Sequence, residues 1–253
     1  MTDTKIATST PTDIIVRGKS LPRELIGHVT FTEMIWFDVL GDMPTPGQRA
    51  VLDACLVALM EHGMTPSALA TRLVYGSAPE AMQGAVAAGL NGVGGVFVGT
   101  VEGCATLLAR IVAAPDLAVE AARVVAEATR PLPGFGHNLH TPDDPRTPRL
   151  FEVARHHGIA GRHVAALEAL GVALDAAKRR HITINATGAI AAVLADAGAP
   201  TEILRGFAII ARCAGLVAHI HEEQRSPAMT AIWDAADRAV PYHAPEDSEQ
   251  EDP

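Results

Sequence analysis

A chain of 253 residues that is 48% hydrophobic but only 4% aromatic can bury a large core, as one big domain or two smaller ones. Lys+Arg 20 against Asp+Glu 29 leaves a net charge of −9, which argues against nucleic acid or an anionic membrane as the main partner. Cys55, Cys104 and Cys213 are scattered through apolar text, so they read as reduced core residues of a cytoplasmic protein.

Residues 1–12 read as a flexible polar leader without the apolar run of a signal peptide, and Asp13–Val16 as a short strand or extended arm ending at Arg17-Gly18. Helical text begins near Thr32 and stops at Gly41. Pro46 opens a helix whose Val51, Leu52, Cys55, Leu56, Leu59 and Met60 form a wide apolar face, ending at His62-Gly63. Thr65 and Pro66 start another, which runs to Gly76. Ser77-Ala78-Pro79-Glu80 has the spacing of a capping box for a helix through Met82 and Val86. Residues 89–103 hold six glycines, but without the Lys-Ser/Thr of a phosphate loop or a preceding strand. Close helix packing and a chain reversal beside a ligand both fit them. Further helices are expected at about 101–113, 116–129, 149–157, 160–178, 186–197, 200–223 and 227–238. The most apolar stretches carry Gly, Arg or His and are too short to read as membrane spans. The last residues, with Glu246, Asp247, Glu249, Glu251 and Asp252, read as a disordered acidic tail. The class is all-α.

One stretch interrupts the helices. Residues 131–149 contain five prolines and two glycines, which forbid regular structure because proline removes a backbone donor and fixes φ. His137, His140, Arg146 and Arg149 lie in this rigid loop, and Gly134 and Gly136 flank Phe135 where backbone can approach a ligand closely. Thr147 then Pro148 reads as an N-cap and first helical residue, setting Arg146 at a helix mouth. A loop that only joins helices rarely concentrates so many ionisable groups.

Elsewhere the chemistry is thin. His219 and His221 lie two apart on a helix and point away from each other, so with Glu222 and Glu223 they make a poor metal site, and no metal is expected. No cysteine has a basic neighbour, and no Gly-x-Ser-x-Gly elbow occurs.

Pro133-Gly134-Phe135-Gly136-His137, followed by Asp144-Pro145-Arg146, resembles the signature segment of the citrate synthase superfamily. Glu61-His62-Gly63, with Ser67 and Arg72, resembles that family's earlier Asp-His-Glu/Gly segment, and Asn91 to Glu102 occupies the place of its glycine-rich turn. Thr183-Ile184-Asn185-Ala186-Thr187-Gly188 resembles the segment carrying the family's catalytic aspartate. Arg212, His219 and Arg225 match its closing helix and arginine. The likeness runs from about residue 14 to 242 and is nearer to the citryl-CoA lyase module of ATP-citrate lyase than to citrate synthase itself.

The resemblance implies a large helical domain, 14–104 with 200–242, and a smaller inserted one, 105–199, between flexible termini 1–13 and 243–253. It implies a homodimer or higher homo-oligomer with shared sites, and a coenzyme A ester taken as substrate rather than as a bound cofactor, with small di- and tricarboxylic acids. By position, His62 and His137 are catalytic, Arg146, Arg212, Arg225, Asn185 and Thr187 contact substrate, Arg225 reaches from the partner subunit, and the backbone of Pro133, Gly134, Phe135 and Gly136 lines the CoA side. Two departures stand out: the histidine of the glycine-rich turn is replaced by Phe97 or Val98, and no acid lies between Ile184 and Thr187. Asn185 and Thr187 cannot act as general bases near neutral pH, and Asp144 is the acid left in the loop to substitute. The implied activity is therefore a citryl-CoA lyase-like carbon–carbon lyase, cleaving citryl-CoA or a related 3-hydroxy polyacid acyl-CoA to acetyl-CoA and oxaloacetate. The alternatives are a non-catalytic CoA-ester or dicarboxylate-binding relative, and a citrate synthase-like acyltransferase acting on another oxo acid.

Overall fold

The computed structural model describes residues 2–95 and 99–243. The acidic tail and the Phe97/Val98 position lie outside the described residues. Eleven α-helices dominate those described: α1 (Phe31–Leu40), α2 (Pro46–Met60), α3 (Pro66–Ser77), α4 (Met82–Asn91), α5 (Thr100–Ala113), α6 (Leu117–Glu127), α7 (Arg146–His156), α8 (Arg162–Lys178), α9 (Ala186–Asp196), α10 (Leu204–Arg225) and α11 (Met229–Ala239). Local signals set several boundaries. Thr30 with Glu33 and Thr45 with Gln48 form capping boxes, and Gly41 ends α1 in the left-handed region.

Three expectations change. Residues 1–12 are not a bare leader: β1 (Ala7–Ser9), β2 (Ile14–Val16) and β3 (Lys19–Ser20) form an antiparallel meander, its first turn tied by Thr10 N–H to the Asp13 carbonyl at 2.8 Å. Ser77 does not cap α4; it is the last residue of α3, and its hydroxyl donates to the Leu73 carbonyl. The helix expected at 149 starts at Arg146, with the Asp144 carboxylate taking its first N–H.

The chain forms two compact units, one of residues 1–61 with 93–212 and the other of 62–92 with 213–253. The divisions expected after 104 and 199 do not coincide with these. A cut after 104 would split the buried face of α5, since Val101, Cys104, Ala105, Leu108 and Ile111 all belong to one core.

In the first unit α9 is the central element. Ala186, Gly188 and the run Ala189–Leu194 are all buried, so α9 is apolar all round, as a helix enclosed by others must be. It packs against α2, α5, α7 and α8. Trp36 and Phe207 stack with ring centroids 6.5 Å apart in the same core. Burial pushes the Cys104 thiol up to about 12 and raises that of Cys55 further, so both are inert packing residues.

In the second unit α3 packs on α4 and α11. A Cβ at Gly89 would enter Thr71 and Leu216, which identifies that glycine as a helix-packing residue. Arg72, 3% exposed, donates from Nε to His219 Nδ1 at 3.0 Å and from Nη1 to Glu223 Oε2 at 2.8 Å, and also pairs with Glu222. Glu223 in turn accepts the N–H groups of Ala228 and Met229, which fixes the turn between α10 and α11. Burial alone would raise the Glu223 pKa, but Arg72 and these N–H groups outweigh it and lower it. The His219–Glu223 group thus serves a buried arginine. Thr201–Arg225 is long and apolar enough to cross a membrane by length and composition. Half of its most apolar 18-residue stretch is buried, however, and the helix carries Arg212 and Glu223 at 5% and 3% exposure.

Gly188 tests the core's tolerance. A Cβ there would stand 2.5 Å from the Gly134 carbonyl oxygen, a backbone atom that cannot swing away. Gly188→Ala is expected to destabilise the chain by about 1–3 kcal/mol, whereas Gly84→Ala, whose Cβ meets only Ala81 at 3.6 Å, should be neutral or mildly stabilising. Thermal denaturation of both variants checks this; an unchanged melting temperature for Gly188→Ala would contradict the packing.

Candidate active site

The proline-rich loop is held by the segment that leads into α9. Gly136 N–H donates to the Thr183 carbonyl at 2.8 Å, Asn185 N–H donates to the Gly134 carbonyl at 3.1 Å, and Phe135 and Ile184 form a single antiparallel bridge. Gly134 and Gly136 have φ of +89° and +80°. A Cβ at Gly134 would also strike Cys104 Sγ at 2.6 Å, so this position requires glycine on both counts.

Asp144 anchors the loop's far end. It is fully buried and accepts from Arg146 N–H at 3.1 Å, Arg146 Nε at 3.0 Å, Arg146 Nη2 at 2.8 Å and Ala186 N–H at 2.9 Å. One carboxylate therefore terminates both α7 and α9 at their positive ends. Burial would raise its pKa; the Arg146 hydrogen bonds and charge and the Ala186 N–H overcome that and hold it at about 2. Asp144 is thus a poor candidate for the missing base, being ionised but enclosed by donors. Arg146 is correspondingly held in a fixed direction, with two of its three guanidinium nitrogens on Asp144 and its side chain 25% exposed. Thr147 is no N-cap; its hydroxyl donates to the Ile184 carbonyl at 2.8 Å. Arg212 lies within electrostatic reach of Arg146 and Glu61. Burial lowers its pKa, with the Glu61 charge opposing and the Arg146 charge adding.

His137 has a defined tautomer. Its Nδ1 accepts the N–H groups of Leu139 at 3.1 Å and His140 at 2.9 Å, so the ring is neutral there and carries its proton on Nε2. The His140 ring stacks on it at 4.3 Å between centroids.

Asn185 and Thr187 are engaged with the protein. Asn185 Oδ1 accepts Gly188 N–H at 3.1 Å, which fixes the amide orientation, and Nδ2 then donates to the Gly136 carbonyl at 2.8 Å. Thr187 donates to the same Oδ1 at 2.7 Å, and Thr100, a residue the sequence did not single out, hydrogen-bonds Thr187 at 2.9 Å.

Phe135 and Gly136 also wall a cavity of about 440 Å³. Leu132, Leu174 and Ile182 give it an apolar lining, and Arg130, Lys178 and Arg180 stand around it. Lys178 and Arg180 belong to one basic run, Lys178-Arg179-Arg180, and the fold brings Arg130 to join them.

The first unit thus brings together Pro133–Gly136, His137, Arg146, Asn185 and Thr187, with Arg212 in reach. His62 and Arg225 belong to the second unit. His62 lies in the turn before α3, where Gly63 has a φ of +72°, and Arg225 is the exposed last residue of α10.

Asp144→Asn is expected to destabilise the chain by about 1.5–3 kcal/mol at neutral pH. Because the Asp144 pKa is depressed on folding, its contribution is complete above the ordinary aspartate value and lost as pH falls toward about 2. Denaturant unfolding of wild type and variant at about pH 7 and pH 3 should show the gap narrowing in acid; an equal gap would mean the carboxylate's charge is not what holds the loop.

Known proteins give the site its context. The family model for the citrate synthase C-terminal domain matches residues 4–233. A citryl-CoA lyase from Hydrogenobacter thermophilus superposes with a TM-score of 0.87 at 29% identity, covering 97% of this chain and 95% of that one. ATP citrate lyase from Methanothrix soehngenii, solved with citrate and coenzyme A, has a TM-score of 0.79 at 18% identity, covering 100% of this chain and 43% of that one. A Mycobacterium tuberculosis protein provisionally named citrate synthase 2 is 29% identical over 191 residues, 72% of this chain and 49% of that protein. The chain therefore spans about half the length of the curated relatives it matches. With the family model covering most of its length, this chain belongs to the citrate synthase family.

Proposed function

We propose that this chain is a carbon–carbon lyase acting on citryl-CoA, or on a closely related 3-hydroxy polyacid acyl-CoA, and releasing acetyl-CoA and oxaloacetate. The observation that carries the reading is a single loop with two kinds of neighbourhood. It presents His137 as a neutral Nε2–H donor, and its Phe135 and Gly136 wall an apolar cavity attended by three cations. The first suits an oxygen that changes between hydroxyl and carbonyl; the second suits a thioester carrier with an aromatic base and several phosphates. The likeness to a citryl-CoA lyase over nearly the whole of both chains supports the same reading.

In cleavage the tertiary hydroxyl gives up its proton, a role the family pattern gives to His62. Its oxygen becomes the oxaloacetate carbonyl as the adjacent carbon–carbon bond breaks. The electron pair of that bond passes to the thioester as an enolate, which takes a proton to become acetyl-CoA. The His137 Nε2–H stabilises the changing oxygen, and Arg146 and Arg212 balance substrate carboxylates. Arg146 is aimed in advance by Asp144, so little side-chain entropy is lost when it binds. Synthesis would instead need a base at the acetyl methyl group. Thr187 and Asn185 are neutral and bonded to each other, and Asp144 is locked.

Purified protein given citryl-CoA should release acetyl-CoA and oxaloacetate, and His137→Ala should lower kcat by about 100- to 1000-fold while leaving CoA-ester affinity largely intact. Absence of product from the wild type would overturn the reading and favour a binding protein. Acetyl-CoA incubated with the enzyme and oxaloacetate in heavy water should keep its methyl protons over many turnover times; rapid exchange by NMR would reveal a base at the methyl carbon and overturn this assignment.

By the family pattern, we assign Arg225 to a neighbouring subunit's site. His137→Ala and Arg225→Ala homodimers should each be weak, while a mixed dimer contains one site with both lesions and one with neither. Co-refolding the two should restore up to about a quarter of wild-type activity under random pairing. No recovery in proven mixed dimers would return Arg225 to its own subunit or to no role.

A further inference from the structure

Residues 181–186 meet the site loop through a ladder of contacts that differ in chemistry. The backbone bonds between 134–136 and 183–185, and the Thr183 hydroxyl on the Pro142 carbonyl, are neutral. The Ala186 N–H donates to the buried, ionised Asp144 carboxylate, which titrates only in strong acid. The outermost contact is different. His181 Nε2 lies 3.1 Å from Asp143 Oδ1 and its Nδ1 lies 2.7 Å from Asp175 Oδ2. Asp143 belongs to the loop and Asp175 to α8.

Ionised carboxylates only accept, so both ring nitrogens must donate, and the imidazole in this arrangement is the cation. A neutral ring has one N–H and must release one partner. Asp175 is the one retained: its contact is shorter, its side chain is 34% exposed against 69% for Asp143, and its other oxygen is fixed by the Ile182 N–H at 2.7 Å. The loss falls on Asp143, the residue beside the anchor Asp144.

We propose that His181 is a positioning residue whose protonated ring fastens the outer end of the 137–145 loop to α8, so that deprotonation slackens the loop at Asp143. The hydrogen bonds to Asp175 and then Asp143 raise the His181 pKa, with slight burial opposing. Asp143 faces the ring from the loop and Asp175 from α8, and Arg179 and Arg180 precede it in its own segment. Because the pKa is raised on folding, the tether is fully present at the ordinary histidine value of about 6.5 and below, and is lost as pH climbs through the raised value.

Its effect on turnover rests on the lyase reading; its effect on the loop does not. The test is backbone amide exchange of residues 137–145 in the full chain, corrected for intrinsic pH dependence, from about pH 6 to pH 9, beside an NMR titration of the His181 ring. Exchange should rise about two- to fivefold as the ring deprotonates. It should be flat with pH in His181→Gln and Asp143→Asn, and Asp143→Asn should lower the ring's pKa. For wild type the KM for citryl-CoA should rise over the same window with kcat nearly constant, and in His181→Gln it should not. A loop indifferent to the ring's titration, or a KM profile unchanged in His181→Gln, overturns the proposal. Loop loosening in a protein that does not cleave citryl-CoA leaves the tether standing and removes the lyase reading instead.

Discussion

A carboxylate sealed from water stays ionised only if donors surround it, and Asp144 is such a group. Four N–H donors converge on it, three from Arg146 and one from Ala186. Losing any of them would leave part of a buried charge uncompensated, so the carboxylate constrains two helix starts and one arginine at once. The start of α9, the start of α7 and the direction of Arg146 are therefore one decision. The backbone bonds from Gly134 and Gly136 to the 183–185 segment carry that order to His137. Nothing in the loop's own composition, which is proline, glycine and charge, would order it without such an anchor.

The close approach of Gly134 and Gly188 is the second half of the same construction. Each glycine leaves room for the other's backbone, and Cys104 fills the space beside them. The small residues of α9 have the matching purpose: with Ala189, Ala191 and Ala192 fully buried, neighbouring helices can close on it. A rigid, fully enclosed helix whose N-terminus faces the loop is a suitable base for groups that must be held to a fraction of an ångström.

Much of this was legible from residues alone. Gly41, Pro46, Thr65-Pro66 and the apolar periodicities mark helix limits through backbone chemistry, and the structure follows them closely. The loop was legible as a break in the helices because prolines and glycines forbid regular structure, and its histidines and arginines make it a candidate site. What escaped was set by tertiary contact. Ser77 obeys the capping-box spacing, yet α3 continues through it because its hydroxyl satisfies the Leu73 carbonyl. Thr147-Pro148 reads as a helix start, but the buried Asp144 moves that start back to Arg146. Arg130 lies some distance from the basic run Lys178-Arg179-Arg180, and it meets Lys178 and Arg180 only around the cavity. The hairpin at Ala7–Ser9 is too short and polar for a period-two signal, and it depends on Asp13 to close its turn.

The same constraint bears on what chemistry the loop can support. A general base needs a lone pair directed at the substrate and a proton affinity near the working pH. The only acid in the loop's interior spends its lone pairs on Arg146 and Ala186; the Asn185 amide oxygen accepts from Thr187 and Gly188, and its NH2 group donates to the Gly136 carbonyl. Making any of these a base would dismantle the order that positions Arg146 and His137. An enolate leaving a broken carbon–carbon bond makes no such demand, because it is basic enough to take its proton from water. On the lyase reading proposed above, a site ordered in this way suits bond breaking: fixed donors meet the oxygen and the carboxylates, and the carbon's proton is left to solvent.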